Sequence, residues 1–141
     1  MIIRKAKKQD LNELVKLDKE ASKEIKWWMP LKKSDFAKFL KKRNFLFVAE
    51  DKGSIVGYQS AKVENKILRL EDLYVKKEFR NKKIATKLIK KVSLKIKRHT
   101  INRIRLDCPE RLRSFYEKLG FKVTGLIMQK KIKWVYKTQN P

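Results

Sequence analysis

The amino-acid sequence predicts an α/β fold: a mixed, mostly antiparallel central sheet flanked by about four helices, in a single domain over residues 1–141. Three observations lead there. Segments whose apolar residues recur every second position, the period of a strand, are interleaved with segments whose apolar residues recur at helical spacing. Interleaving of this kind places helices on the faces of one sheet. The chain is also the length of one ordinary domain, with 42% apolar and 10% aromatic residues for a core, and its 4 glycines and 3 prolines supply no linker.

Taken in order, residues 2–5 form a short first strand, and residues 8–23 a helix with Leu11, Leu14, Val15 and Ala21 at helical spacing and Asp10 in its first turn, where the helix dipole favours a carboxylate. Pro30 interrupts the chain, and Ser34 is expected to cap a short helix that buries Phe36, Phe39 and Leu40. Residues 45–50 and 55–63 read as a hairpin about the turn Asp51-Lys52-Gly53-Ser54. Residues 67–75 form the next strand after a second turn at Glu64-Asn65-Lys66. A helix carrying Ile84, Ala85, Leu88, Ile89 and Val92 on one face follows, then a strand over 101–108 and a helix over 111–119 with Leu112, Phe115, Tyr116 and Leu119 on one stripe, closed by Gly120. Residues 121–128 and 131–137 are expected to be closing strands, the latter alternating Ile132, Trp134 and Tyr136.

The strand over 67–75 is the most informative. Its apolar residues sit first on even positions (Leu68, Leu70) and then on odd ones (Leu73, Val75). A strict period of two sends these sets to opposite faces. One extra residue near Glu71 and Asp72 returns them to the same face, and that residue is a β-bulge, a feature frequent beside active sites. The alternative is a strand buried on both faces, where alternation is not required.

Composition narrows the function classes. Met1-Ile2-Ile3-Arg4-Lys5 is not followed by the apolar stretch of a signal peptide, and no apolar run approaches the roughly 18 residues of a membrane span, so a cytoplasmic protein is expected. The single cysteine, Cys108, excludes an internal disulfide, and no metal-site spacing is present. Cys108 is expected to be buried packing, with an acyl-enzyme role as the alternative. His99, the only histidine, follows Lys97-Arg98 and reads as a surface residue. The net charge of +24 admits nucleic acid, a ribosomal surface, acidic proteins or phosphorylated cofactors as partners, or is simply a lysine-rich solvated surface.

Between the bulged strand and the next helix runs Lys76-Lys77-Glu78-Phe79-Arg80-Asn81-Lys82-Lys83. A helix N-terminus presents free N–H groups and a partial positive charge to whatever lies before it, and the basic residues here suit a pyrophosphate. Leu70-Glu71-Asp72-Leu73-Tyr74-Val75 followed by Phe79-Arg80-Asn81-Lys82-Lys83-Ile84-Ala85 resembles the R/Q-x-x-G-x-G/A acetyl-CoA motif of the GNAT superfamily of N-acetyltransferases. Phe115-Tyr116-Glu117-Lys118-Leu119-Gly120-Phe121 is similar to the family's second signature. The opening Ile3-Arg4-Lys5-Ala6 and the hairpin Val48-Ala49-Glu50 to Ile55-Val56-Gly57-Tyr58 follow it in order and spacing, so the resemblance covers most of the chain. Lys83 stands where the family usually has glycine, and can serve there if its backbone is helical and its ammonium adds a contact to phosphate; Pro109 and Leu112 replace an asparagine and an alanine of the second signature.

The resemblance implies an acetyl-CoA-dependent N-acetyltransferase. Leu73, Tyr74 and Val75 would pair with the pantetheine arm, and the segment Arg80, Asn81, Lys82, Lys83, Ile84, Ala85 and Thr86 would cradle the pyrophosphate. Glu71 is the candidate general base, directly or through a water, with a solvated strand residue as the alternative. Tyr116 is the candidate general acid, with a core tyrosine as the alternative; an ordinary phenol, with a pKa of about 10, is protonated at neutral pH. The amide of Leu73 is a candidate to polarise the thioester carbonyl. Trp27 and Trp28 either wall the amine pocket or staple the helices to the sheet, and Asp72 attracts the cationic amine. The acceptor is a primary amine of a protein N-terminus, a lysine or a small molecule; a homodimer is compatible. A nucleic-acid- or ribosome-binding protein on the same scaffold is the rival reading.

Overall fold

The computed structural model describes residues 1–96, 100–130 and 132. They fall into two compact units, Met1–Leu106 and Asp107–Pro141. The first unit contains a five-stranded sheet of β1 (Ile2–Lys5), β2 (Asn44–Asp51), β3 (Ser54–Glu64), β4 (Ile67–Val75) and β5 (Arg103–Arg105), side by side in chain order. The first four strands are antiparallel to their neighbours and β5 is parallel to β4, giving the mixed, mostly antiparallel sheet that was expected. Lys52 and Gly53 make the β2–β3 turn at φ 49 and 81, the left-handed geometry that a two-residue hairpin loop requires.

A single 3-10 turn (Lys8–Asp10) leads into α1 (Leu11–Glu24), and α2 (Lys33–Lys38) follows. The Asp10 carboxylate accepts the Lys7 N–H at 2.7 Å and two guanidinium N–H groups of Arg4 at 2.8 and 3.0 Å. Arg4 also reaches Glu50 on β2 at 2.8 Å, so one arginine ties β1 to both. Its hydrogen bonds hold the Asp10 carboxyl below the usual carboxylate range. The cap of α2 lies two residues before Ser34: Lys32 is the capping position, and the Asp35 carboxylate turns back to accept its N–H at 2.9 Å. A carboxylate in the first turn satisfies that otherwise orphaned amide and complements the dipole.

Leu11, Leu14, Leu17 and Ala21 of α1 and Phe36 of α2 pack with Leu46, Val48, Ile55, Tyr58 and Tyr74 on one face of the sheet, with Phe39 partly buried beside them; Leu40 is 38% exposed and lies outside this core. α3 (Ile84–Ser93) packs on β1 to β4, and Phe47 and Ala49, which alternate with Leu46 and Val48, are buried on the opposite face. Asp18 is fully buried on the α1 side and accepts three hydrogen bonds, from Trp28 Nε1 at 2.8 Å, the Leu31 N–H at 2.5 Å and the Tyr58 hydroxyl at 2.6 Å. It anchors the segment between α1 and α2 to the sheet.

In the second unit a 3-10 turn (Glu110–Leu112) precedes α4 (Arg113–Glu117), and Gly120 at φ 95 closes it, with the Phe121 N–H returning to the Tyr116 carbonyl at 3.1 Å. Two expectations are corrected. The strand expected over 101–108 is only Arg103–Arg105, because its pairing with β4 is confined to Ile67–Arg69. Residues 121–130, where a strand was expected over 121–128, carry neither helix nor strand; an apolar segment does not make a strand without a neighbour, and among the described residues none pairs with it. His99, and the segment 131–137 but for Ile132, lie outside the described residues.

Asp18→Ala leaves three donors, that of Tyr58 buried and those of Trp28 and Leu31 partly so, without their acceptor and is expected to cost roughly 3 kcal/mol or more, a loss of more than about 5 °C in thermal melting.

Candidate functional site

The site is built on the bulge. Gln59 of β3 pairs with Leu73 and Ala61 with Leu70, so the single residue Ser60 lies opposite both Glu71 and Asp72. The extra residue sits where the change of parity from Leu68 and Leu70 to Leu73 and Val75 places it. Two buried polar side chains of β3 close the gap: Ser60 Oγ accepts the Asp72 N–H at 3.0 Å, and Gln59 Nε2 donates to the Asp72 carbonyl at 3.1 Å. A Cβ at Gly57 would stand 2.9 Å from the Tyr74 carbonyl oxygen, so only glycine lets β3 and β4 approach there. Beyond Arg69, β4 no longer pairs with β5, so among the described residues its last residues have a ladder partner on the β3 side alone.

The loop after β4 leaves the sheet through the Lys76 N–H, bonded to the Val56 carbonyl at 2.8 Å, and makes one 3-10 turn (Lys77–Phe79). Asn81 and Lys83 then take left-handed conformations, φ 63 and 62. Lys83 is therefore not the right-handed helical residue that a lysine would prefer; it occupies the conformation natural to glycine, at a cost of about 1–2 kcal/mol. The reversal delivers the chain into α3 with the first-turn N–H groups of Ile84, Ala85 and Thr86 at the end of the loop, where intrahelical acceptors do not exist. Asn81, Lys82 and Lys83 are exposed beside them. Arg80 is engaged elsewhere: its amide bonds the Lys77 carbonyl at 3.2 Å, and its guanidinium meets Glu24 at 2.6 Å and the Val75 carbonyl at 3.0 Å. Of the segment assigned to the pyrophosphate, Arg80 is thus the residue whose own polar groups are already bonded inward.

Glu71 and Asp72 open into a cavity of about 360 Å³ lined by Leu31, Asp35, Lys38, Phe39, Asn44 and Lys62. Glu71 lies 3.2 Å from Lys62 Nζ and 3.7 Å from Arg69 Nε, and Lys62 also reaches Glu64 at 3.0 Å. Burial, reinforced by the charges of Asp18 and Glu71, pushes the Asp72 carboxyl up to about 6. The structure therefore brings together two carboxylates of different character, one held by cations and one near its titration point at neutral pH. The tryptophans stand differently. Trp28 donates to Asp18 and meets the Tyr74 ring edge-on at 6.2 Å, whereas Trp27 is 64% exposed and tilted against Trp28. Neither lines this cavity.

In the second unit Tyr116 is half-buried between the rings of Phe115 and Phe121, at 5.0 and 5.8 Å, and burial pushes its phenol up to about 12. Its phenol is therefore protonated at neutral pH. Cys108 was expected to be buried and is exposed; residual desolvation and the carboxylates of Glu110 and Asp107 push its thiol up, away from the thiolate form. Among the described residues no group of histidine, cysteine and carboxylate side chains is arranged to hold a metal ion, and no helix is long and apolar enough to cross a membrane. Sequence reasoning missed Ser60 and Gln59, whose only signal was a polar pair inside an apolar strand, and Asp18 and Glu24, which look like ordinary surface charges of α1.

Comparison with known proteins places the chain in a family. Residues 16–135 match the model of an acetyltransferase (GNAT) domain, and the chain belongs to that family. A probable glucosamine 6-phosphate N-acetyltransferase of Drosophila melanogaster is 34% identical over 86 residues, covering 55% of this chain; the match spans only 39% of that relative's length. Among solved structures, the glucosamine-6-phosphate N-acetyltransferase of Arabidopsis thaliana superposes with a TM-score of 0.75 at 21% identity over 94% of this chain and 98% of its own. The aminoglycoside N-acetyltransferase AAC(6')-Iy, solved in complex with CoA, gives 0.77 at 18% identity over 94% of this chain and all of its own. At these identities the two structures speak for the fold.

Two measurements test the site. The folded Asp72 carboxyl keeps its proton up to about pH 6, whereas the unfolded chain releases it near the ordinary value of 3.8. Between these values the unfolded state binds fewer protons, so this group's contribution to stability falls as pH rises through the window and stays low above it. Asp72→Asn is therefore expected to raise the melting temperature at about pH 7.5, by the equivalent of up to about 3 kcal/mol, and to change it little at about pH 3.5. At the left-handed position, Lys83→Gly is expected to melt above Lys83→Ala by about 1 kcal/mol, since both lose the ammonium but only glycine releases the strain.

Proposed function

We propose that this protein transfers the acetyl group of acetyl-CoA directly to a primary amine. The observation that carries the reading is the continuous run from the bulge to α3: a strand edge that β5 leaves unpaired, a basic loop reversed by two left-handed residues, and a helix N-terminus at its end. The backbone of Leu73, Tyr74 and Val75, on the edge of β4 that β5 does not reach, suits the amide-rich pantetheine arm, which can add to a strand edge as another strand does. The amides from Asn81 to Thr86, with the ammonium groups of Lys82 and Lys83, suit a pyrophosphate. Membership of an acetyltransferase family supports acetyl-CoA as the acyl donor.

On the acceptor side, Asp72 and Glu71 receive the amine in the cavity beside α2, with Trp27 and Trp28 on the segment leading to it. Glu71 removes the amine proton, directly or through a water, and Tyr116, protonated at neutral pH, supplies a proton to the departing thiolate. In this reading the Leu73 amide, on the bulged strand, polarises the thioester carbonyl. A second assignment within the same site is favoured by the titration of Asp72 near 6: Asp72 takes the amine proton, and Glu71, held by Lys62 and Arg69, keeps the field negative. The relatives that act on glucosamine 6-phosphate make an amino sugar phosphate the first small acceptor to try, beside peptides with a free N-terminus and aminoglycosides.

The test is thiol release from acetyl-CoA across these amines, with melting in CoA as the binding control. A ligand at a hundredfold excess over its Kd adds about 2.7 kcal/mol. No shift with CoA, together with a salt-sensitive shift in an oligonucleotide, would transfer the reading to nucleic-acid binding. Tyr116→Phe is expected to lower kcat about 100-fold or more at unchanged CoA affinity. The base is identified by the pH profile of kcat/KM: the variant, Glu71→Gln or Asp72→Asn, that removes the acidic limb carried the base.

A further inference from the structure

We infer that Glu24, the last residue of α1, is a positioning residue for the donor loop, acting through Arg80. The inference rests on the donor-binding reading above. The side chain of Arg80 is held on three sides. Its Nη2 donates to Glu24 Oε2 and its Nη1 pairs with Oε1, both at 2.6 Å; Nε donates to the Val75 carbonyl at 3.0 Å; and the guanidinium lies over the Tyr74 ring, 5.5 Å from its centroid. The Tyr74 hydroxyl donates to the same Glu24 Oε2 at 3.1 Å. A bidentate carboxylate–guanidinium pair fixes orientation as well as distance, and Glu24 is held in its charged form, below the usual carboxylate range, chiefly by Arg80.

The consequence for the loop follows from its covalent order. Arg80 is the last residue of the loop that the body of the unit grips before the two left-handed residues, and the next grip is α3 itself, through Ile84. The amides offered to a pyrophosphate are those immediately after Arg80. With Arg80 clamped, the reversal at Asn81 starts from a fixed point and direction. With it released, the same backbone can start from many, and binding must then order it at the expense of affinity. Glu24 reaches the loop from 56 residues away in sequence and touches neither acceptor nor thioester in this reading, so its loss should appear in donor affinity and not in the chemical step.

The experiment compares wild type, Glu24→Gln, Arg80→Gln and the double variant by CoA titration and by steady-state kinetics, with Glu24→Asp as a charged variant that is one methylene too short. Expected are a five- to tenfold rise in Kd for CoA and in KM for acetyl-CoA in each single variant, kcat at saturating donor and KM for the amine within twofold of wild type, and a double variant no weaker than either single one. Hydrogen exchange at residues 81–86 of the ligand-free Glu24→Gln protein should accelerate while β3 stays protected. Wild type that binds CoA beside a Glu24→Gln variant that binds it equally well, losses that multiply in the double variant, or unchanged exchange in the loop would each overturn the inference. Wild type that does not bind CoA would remove the donor reading itself, and this role of Glu24 with it.

Discussion

The extra residue that β4 carries opposite Ser60 sets the direction of every side chain after Leu70. Without it, Tyr74 and Val75 would exchange faces, Tyr74 would leave the α1 core, and the loop would emerge from the wrong side of the sheet. The bulge survives because its displaced polar groups are answered inside the fold, the Asp72 N–H by Ser60 and the Asp72 carbonyl by Gln59. Buried polar groups cost little when paired and much when they are not, so two polar residues within a buried strand are what the irregularity requires. The same step turns Asp72 into the cavity and away from solvent, which is why its carboxyl titrates so far above an ordinary aspartate.

From that point two systems radiate. Toward α1, Tyr74 meets Trp28, Trp28 bonds Asp18, and Asp18 gathers Leu31 and Tyr58, so the segment between α1 and α2 is fastened to the centre of the sheet by one carboxylate. Toward α3, Val75 and Lys76 deliver the chain into a loop whose shape is set by an arginine turned inward and two residues in a conformation usually left to glycine. The site is thus assembled from elements far apart in sequence but only one strand apart in space.

Much of this was readable in the residues. The change of parity along β4 is a one-dimensional record of the bulge, and the helical stripe of Ile84, Leu88, Ile89 and Val92 gave α3 its place. The cap of α2 was misread because Ser34 is the better capping residue by type, whereas Asp35, one position on, reaches back to Lys32 with a charge. The strand expected at 121–128 shows what a local reading leaves out: an apolar segment does not say whether a partner strand exists. Asp18 and Glu24 were illegible for a different reason. A charge on a helix is ordinarily solvated, and only the packing of the chain reveals that one is buried under a tryptophan and a tyrosine and the other faces an arginine on another element.

Gly57 gives this arrangement an uneven tolerance for change. It is the point where the backbones of β3 and β4 come too close for a methyl group, and it lies one residue from Val56, whose carbonyl holds the root of the loop. Residues at the loop's tip can change as long as the stem keeps its footing, which is consistent with Lys83 standing where the family usually has glycine. An added methyl at position 57 would instead wedge the stem outward and carry an unaltered loop away with it. A position on which this loop's placement depends therefore lies outside the loop, in the middle of a strand.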